Sequence, residues 1–392
     1  MPRTSVHGGA GANARPSLSW DPRSEDFDPC DFLLERYPHR AEGQSRALVA
    51  YYTLKPLIPR PVQLAIRRRY AKRQAQRTFP SWPVEPILVE HQHEQLRCRL
   101  RESGAQSVPI VNFWPHAKRF CSIITHDVEG PDGIRNIPRV LEVERRHGIV
   151  SAWNFCAEHY EIPPGTFDIV REAGCELGLH GIKHDGKLFR DRRCFEAELP
   201  KIHRYLNRWG AVGFRSPATH RNPDWMPELG CVYDGSFPDT DPFEPQAGGC
   251  CSIFPYTIGD MVELPMTLVQ DHTLREILGD ESISCWTHKG DWVIRNHGLV
   301  HLLVHPDYLL SDDRLETYSS FLEWLAGQDG NWHALPKDVA HWWKGRAGLR
   351  CQPTSGGDAE LLGEPTDGAT VAWVREDEQG NIAFDLTRRV KG

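Results

Sequence analysis

The sequence predicts an α/β protein built around a distorted β/α barrel. Beyond Phe113, short apolar runs such as CSII, AWNF, LGL, VGF and HLLV are separated by helix-length stretches, for example 137–147 and 194–209. This alternation is typical of parallel β/α units. Polar side chains directly follow several of the runs, which is where β/α barrels carry their catalytic groups.

Composition excludes several classes of protein. With 40% hydrophobic and 25% charged residues, the chain of 392 residues has an ordinary globular composition. Its 46 basic and 53 acidic side chains give a net charge of −7, which argues against general nucleic-acid binding. No apolar run reaches the roughly 18 residues of a membrane span, and no secretory signal is evident. Eleven cysteines without a CxxC pair indicate no disulfide framework, so we expect a cytoplasmic location.

We expect the chain to divide into a disordered tail, a helical N-terminal extension, a catalytic domain and a C-terminal appendage, which cover residues 1–28, 29–114, 115–345 and 346–392. The extension has helical spacing around residues 48–52 and again after Pro61. In the appendage, two alternating runs at 370–374 and 382–386 flank a turn, which predicts a small β-hairpin.

The second helix of the extension is basic and amphipathic. Val62, Ile66 and Tyr70 recur at every fourth position and share one face, while basic residues crowd the rest of the cylinder from Arg67 to Arg77. One interpretation is that the apolar stripe docks on the protein and leaves the charges in water. The other is an anionic partner, such as a phosphorylated saccharide or the inner face of a membrane to which the protein binds peripherally. Nucleic acid is the least favoured partner.

Two pairs of metal-binding residue types follow predicted strands. Asp127 and Glu129 follow the run CSIIT, and residues two apart on an extended chain face the same way. His180 and His184 follow the run ELGL, and residues four apart share one face of a helical turn. Either pair alone is more often structural. Together, a carboxylate and two imidazoles form a three-ligand site of the hydrolytic zinc type.

Two more predicted strands deliver Arg215 and His305 to the same rim. A divalent metal polarises a carbonyl and lowers the pKa of a bound water toward about 7. A nearby carboxylate then takes a proton from the water, and a histidine protonates a leaving nitrogen. These groups therefore favour amide hydrolysis.

The motifs THDVEG, HGIKH, GFRSP and LLVHP, in this order, resemble those of the polysaccharide deacetylases with the NodB homology domain, the carbohydrate esterase family 4 group. They lie at 125–130, 180–184, 213–217 and 302–306, and the resemblance covers about residues 115–345. It implies a barrel of the NodB type. It also implies a metal-dependent hydrolase that removes an acetyl group from an N-acetylated sugar of a saccharide or glycan precursor.

The resemblance also implies a role for each matching residue. Asp127 would be the general base, and Arg215 would orient it. Glu129, His180 and His184 would bind the metal. His305 would be the general acid, and the Ala218 backbone N–H would be the oxyanion donor. The cofactor would be one divalent ion, with zinc as the default and cobalt, nickel or manganese as alternatives.

Two positions depart from the family pattern. Many members have two successive acids in the first motif, but Val128 replaces the second and cannot bind a metal, so Glu129 must supply the ligand. Ala218 replaces a common aromatic residue, although a backbone donor does not need the ring. For the acid that supports His305, Asp271 and Asp291 are both candidates, and we favour Asp271.

An acid- and proline-rich loop at 233–242 is expected near the same rim. Asp239 and Asp241, together with His272, are candidates for binding sugar hydroxyls, and a rigid turn capped by the aspartates is the alternative for the loop. Three other functions stay open. They are a hydrolase of small cyclic amides, a catalytically silent glycan-binding domain, which Val128 favours, and a glycosidase, which would leave both histidines idle. The sequence makes no prediction of the oligomeric state.

Overall fold

A computed structural model describes residues 21–37, 58–354 and 358–387. The predicted tail lies outside the described residues apart from 21–28, and the helical segment expected around 48–52 lies wholly outside them. None of the helices in the described ranges combines the length and the apolar character that crossing a bilayer requires.

The described part of the extension contains three helices and a strand. The helices are α1, Pro29–Leu33; α2, Arg60–Gln74; and α3, Ile87–Ser103. The Asp28 side chain caps α1 by accepting from the Cys30 N–H at 2.8 Å, and α3 ends at Gly104 in the left-handed conformation. The strand is β1, Val108–Val111, so the range predicted as helical is not helical throughout.

Within the described residues, a sheet of nine strands forms the barrel. In chain order they are β2 Phe120–Val128, β3 Ala152–Phe155, β4 Glu176–Leu179, β5 Gly213–Phe214, β6 Tyr233–Asp234, β7 Tyr256–Ile258, β8 Met261–Glu263, β9 Leu299–Val304 and β10 Asn331–His333. Every neighbouring pair is parallel except β7 and β8. The predicted distorted, largely parallel α/β barrel is therefore confirmed.

Helices connect the strands and cover the outside of the sheet. They are α4 Pro131–Arg146, α5 Thr166–Glu172, α6 Arg192–Trp209, α7 Ser284–Arg295, α8 Asp312–Ala326 and α9 Pro336–Ala347. Between β8 and α7 the chain winds a π-helical segment at His272–Leu278. In α4, for example, Ile137, Val140 and Val143 are buried on one face, as an amphipathic helix against a sheet requires.

Between β8 and β9, an irregular segment of the chain closes the barrel. The Leu268 N–H donates to the His301 carbonyl at 3.0 Å, and the Thr267 hydroxyl donates to the Leu299 carbonyl at 2.5 Å. Every residue of β2 and β9 is buried. The two central strands are thus fixed on both sides, and so are the residues that follow them.

The C-terminal region is larger than the predicted small hairpin. It contains β11 Arg350–Pro353, β12 Ala359–Leu362, β13 Val371–Glu376 and β14 Ile382–Asp385. The hairpin is present as β13 and β14, but β13 also pairs with β1 of the extension. A two-stranded hairpin is only marginally stable in water, and pairing with the apolar β1 buries the first four residues of β13.

Candidate active site

The candidate catalytic groups meet at the carboxyl ends of four barrel strands. Asp127 and Glu129 come from β2, while His180, Arg215 and His305 directly follow β4, β5 and β9. Parallel strands bring these ends to one rim. Apart from Arg215, these residues line one cavity of about 110 Å³.

Glu129, His180 and His184 can together hold one metal ion. Each offers one ligand atom, and these atoms all lie within 4.8 Å of one another. The buried Nε2 of His180 has no hydrogen-bond partner, and its Nδ1 lies 3.1 Å from the Arg215 carbonyl oxygen. A ring that donates from Nδ1 to a carbonyl presents the Nε2 lone pair, as metal-binding histidines do. The residues present therefore fit a divalent ion.

Asp127 is buried beside this group and is held in place by polar contacts. Asn154 donates to its Oδ1 at 2.9 Å, and the Arg215 Nε lies 3.6 Å from the same oxygen. Burial raises the pKa of Asp127, but the neighbouring His180, Arg215 and His305 together lower it by a larger amount. The pKa of Asp127 therefore lies below its ordinary value. The carboxylate is therefore ionised at neutral pH and able to accept a proton.

Arg215 is rigid because both ends of its guanidinium have partners. Its Nη2 lies 2.9 Å from the Thr125 hydroxyl and 3.1 Å from His301 Nε2, and its Nη1 lies 2.6 Å from the Met266 sulfur. Its side chain is 2% exposed. The charge beside Asp127 is thus fixed before any substrate arrives.

His305 is paired with Asp271, as we favoured. His305 Nδ1 lies 2.6 Å from one Asp271 oxygen, and the His305 backbone N–H donates to the other at 2.9 Å. Asp291, the other candidate, is exposed on α7. Burial lowers the pKa of His305, but Asp271 and then Glu129 and Asp127 raise it to about 10. The ring is therefore an imidazolium with a proton to donate.

The GFRSP motif ends in a strained turn. Ala218 and Thr219 have φ values of 55° and 51°, in the left-handed region that costs non-glycine residues of order 1–3 kcal/mol each. Ala218 lines the cavity. A Cβ on Gly181 would lie 2.9 Å from the Pro217 ring, so the HGIKH turn needs glycine to approach this segment.

The predicted role of Asp239 and Asp241 in gripping sugar hydroxyls requires correction. Asp239 is 1% exposed and accepts from the Lys289 ammonium at 2.6 Å. Asp241 is 4% exposed and accepts from the Phe243 N–H at 2.7 Å. Neither aspartate lines the cavity, because the contact with the buried Lys289 holds this part of the loop in the protein interior. The alternative of a rigid turn with aspartate caps describes this loop, whereas His272 does line the cavity.

Several residues of the site were not predicted. Asn154, which fixes Asp127, is the third residue of the run AWNF, and its position on a strand next to β2 is the signal that was available. Tyr308 lies in the turn after LLVHP, and its hydroxyl donates to the Glu129 carboxylate at 3.3 Å. Glu244 and Gln270 bond each other in the cavity wall, and no local pattern marks either of them.

Helix α2 forms the roof of the cavity. Gln63, Leu64 and Arg67 line it together with the catalytic groups. Arg67 donates to the Phe243 carbonyl and Arg68 to the Glu276 carbonyl, each at 2.8 Å. The extension therefore takes part in shaping the site.

The face on which α2 docks differs from the predicted one. Leu64 and Ala71 pack toward the barrel, whereas Val62, Ile66 and Tyr70 are 47%, 44% and 48% exposed. The interpretation that these three dock the helix on the protein is therefore wrong. The opposite face of α2 is held instead by arginine hydrogen bonds to carbonyl groups and by the packing of a small alanine.

Comparisons with known proteins find similar solved structures. No protein-family model matches the chain, and no curated protein matches it. A crystal structure from Mycobacterium smegmatis, assigned to the polysaccharide deacetylases, is 18% identical with a TM-score of 0.48, and the match covers 60% of this chain and 93% of that one.

Two further solved structures are similar. A protein of Pseudomonas aeruginosa PAO1, also assigned to the polysaccharide deacetylases, is 16% identical with a TM-score of 0.46, over 59% of this chain and 93% of that one. The allantoinase PuuE is 13% identical with a TM-score of 0.45, over 59% and 92%. The structure itself shows a distorted, largely parallel α/β barrel in which the residues of the four motifs meet at one rim.

Proposed function

We propose that this protein is a metal-dependent hydrolase that removes the acetyl group from an N-acetylated sugar of a saccharide or glycan precursor. The observation that carries the proposal is the convergence of Glu129, His180 and His184 ligand atoms within 4.8 Å. Asp127 and His305 lie beside this cluster with their charges already set by their neighbours. A proton acceptor and a proton donor thus flank one candidate metal site.

A divalent ion held by the three ligands, with zinc as the default and cobalt, nickel or manganese as alternatives, would polarise the amide carbonyl and lower the pKa of a water toward about 7. Asp127, fixed by Asn154 and Arg215, takes a proton from the water as its oxygen attacks the acyl carbon. The Ala218 N–H donates to the developing oxyanion. His305 gives its proton to the nitrogen as the carbon–nitrogen bond breaks. Acetate and a free amine are the products.

Two further parts of the proposal concern substrate and place. Gln63, Gln270, His272 and Tyr308 line the cavity with hydrogen-bonding groups, which suit a polyhydroxylated sugar better than an apolar ligand. The protein acts in the cytoplasm, and its eleven free cysteines support a reducing compartment.

Elemental analysis of the purified full chain, combined with acetate release from N-acetylated sugars, tests the proposal. The panel includes free, nucleotide-linked and lipid-linked sugars and, as a separate arm, small cyclic amides. We expect one divalent ion per chain and acetate release that a chelator abolishes. The ion and the activity disappear in Glu129→Ala and His180→Ala, whereas Glu172→Ala, an exposed acid on α5, keeps both.

Two results would overturn the proposal. Hydrolysis of a cyclic amide without acetate release would assign the site to that alternative substrate class. Saccharide binding by a chain that holds no divalent ion and releases no acetate would identify a silent glycan-binding domain.

A further inference from the structure

The outward face of α2 is the strongest surface feature that the chemistry leaves unused. Seven large hydrophobic residues are exposed in the described part of the chain, and Val62, Ile66 and Tyr70 are three of them. A fourth, Leu278, lies in the π-helical segment on which α2 packs. Scattered exposed hydrophobic residues are ordinary, but a group of them on one element marks an interaction surface.

The charges around this stripe have one sign. Helix α2 contains no acidic residue, and Arg69, Lys72 and Arg73 are exposed. Arg69 and Arg73 follow Ile66 and Tyr70 by three residues, so they lie beside the stripe. None of these three cations has an ion-pair partner within residues 21–37, 58–354 and 358–387. The basic face is therefore available to an external anion, although the whole chain has a net charge of −7.

Apolar and basic side chains on one exposed helical face favour an anionic bilayer as the occupant. Such helices lie in the plane of the interface, with their apolar residues among the acyl chains and their cations at the headgroups. Nucleic acid would use the arginines but gives no reason to expose valine, isoleucine and tyrosine. An acidic protein would use fewer of the aliphatic groups.

The inner face of the same helix roofs the catalytic cavity through Gln63, Leu64 and Arg67. Binding a bilayer through the outer face would place the roof of the cavity at the membrane surface. Arg67 also puts a guanidinium in the cavity wall, where it suits the phosphate that joins a sugar to a lipid carrier.

We infer that α2 docks this protein on an anionic membrane surface and that its substrate is a saccharide linked to a lipid through phosphate. The choice of substrate rests on the proposed function, whereas the membrane contact does not. The two parts therefore have separate readouts.

Sedimentation of the full chain with vesicles tests the membrane contact. One set of vesicles is phosphatidylcholine alone, and the other also contains phosphatidylglycerol. We expect binding to the anionic set only, weakened by salt. The variants Val62→Ser/Ile66→Ser/Tyr70→Ser and Arg69→Glu/Arg73→Glu should each lower the bound fraction, by roughly ten-fold in partition coefficient.

Matched controls lie on other helices. Ile169→Ser removes an equally exposed isoleucine from α5, at 45% exposure, and Arg204→Glu/Arg208→Glu reverses two exposed charges of α6. Both should bind as the wild type does. Circular dichroism melts verify that every variant is folded.

The outcomes separate the inference from the proposed function. If vesicles bind only through α2 but no acetate is released from any sugar, the proposed function fails and the membrane contact stands. If soluble sugars are deacetylated but the stripe and charge variants bind vesicles like the wild type, or nothing binds, the inference is overturned. A dimer seen by light scattering and broken by the stripe variant, without vesicle binding, would assign this face to a second copy. If vesicles bind but a lipid-linked sugar is deacetylated no faster than its soluble headgroup fragment, the lipid-linked substrate is rejected.

Discussion

The floor and the roof of the candidate active-site cavity are held in place by different contacts. On the floor, Asp127, Arg215 and the His305–Asp271 pair are buried, and each charged group has at least two polar neighbours. On the roof, α2 is fixed by arginine and glutamine contacts to backbone carbonyls and by a small apolar cluster. A preorganised floor suits charge development during a reaction. None of the roof contacts named above involves the charged groups of the floor, which suits the roof to substrate selection.

The largest effect is expected for His305→Ala on the floor. Loss of the proposed general acid should lower kcat by about 10²–10⁴-fold, while the metal content should stay at the wild-type value because the three proposed ligands are unchanged. Steady-state kinetics of acetate release and elemental analysis measure the two quantities. Unaltered kcat would remove His305 from the mechanism, and loss of the ion would make it a ligand.

The floor could be predicted because its residues lie next to recognisable strands. Each motif is short, and the parallel arrangement of the runs before Glu129, His180 and His305 is enough to bring these side chains to one rim. Asp271 was favoured on the same reasoning, since it follows a strand-like run. Local patterns in the sequence thus marked these side chains of the floor, but not Asn154.

The roof could not be predicted, because the helical pattern does not say which face docks. The regular spacing of Val62, Ile66 and Tyr70 indicated the wrong face, and the true contacts depend on carbonyl groups of Phe243 and Glu276 that are far away in sequence. The buried position of Asp239 likewise depends on Lys289, which is distant in sequence. Long-range polar partners leave no periodic signal.

The second largest effect concerns the attachment of the extension to the barrel. Arg221 and Glu35 form an ion pair with both side chains 0% exposed, in which the guanidinium Nε lies 3.1 and 3.0 Å from the two carboxylate oxygens. Arg221→Met removes the guanidinium from the buried carboxylate, which costs about 3–5 kcal/mol of unfolding free energy. Urea unfolding followed by fluorescence measures it.

The neighbouring Arg36 provides the matched control. Its ion pair with Asp224 joins the same segment to the barrel but is 54% and 65% exposed, so Arg36→Met should cost less than about 1 kcal/mol. The double variant Glu35→Leu/Arg221→Leu should regain much of the loss, since no charge is then left buried. Equal costs for Arg36→Met and Arg221→Met would show that burial does not decide how the extension is held.

The third effect compares the two ends of β4. At the carboxyl end, histidines sit among charged partners, whereas Glu176 at the start of the strand has a tyrosine hydroxyl at 2.7 Å and the Lys337 ammonium only at 4.0 Å. Burial, opposed by weaker contacts to Tyr233 and Lys337, raises the pKa of Glu176 from 4.5 to about 7. Folding therefore favours the neutral acid, and its contribution is fully present below pH 4.5 and lost as the pH rises to about 7.

Glu176→Gln should therefore leave stability unchanged at low pH and raise the unfolding free energy by roughly 1–3 kcal/mol above neutral pH. Urea midpoints across this range measure the difference. Glu172→Gln, an exposed acid on α5, should shift stability by less than about 0.5 kcal/mol at every pH. A gain for Glu176→Gln that is equal at both ends of the range would assign the effect to packing.

The smallest effect separates the two arginines of the roof. Arg67 and Arg68 each donate to one carbonyl at 2.8 Å, but only Arg67 lines the cavity. Arg67→Ala should raise KM by about 3–10-fold for a sugar substrate that carries phosphate and leave kcat unchanged, because it removes binding that substrate and transition state share. Arg68→Ala, which loses the same kind of roof contact, should leave both constants near the wild-type values. Two results would contradict this prediction: equal rises in KM for the two variants, or a fall in kcat for Arg67→Ala alone. Either result would mean that α2 positions the residues of the floor and does not bind the substrate itself.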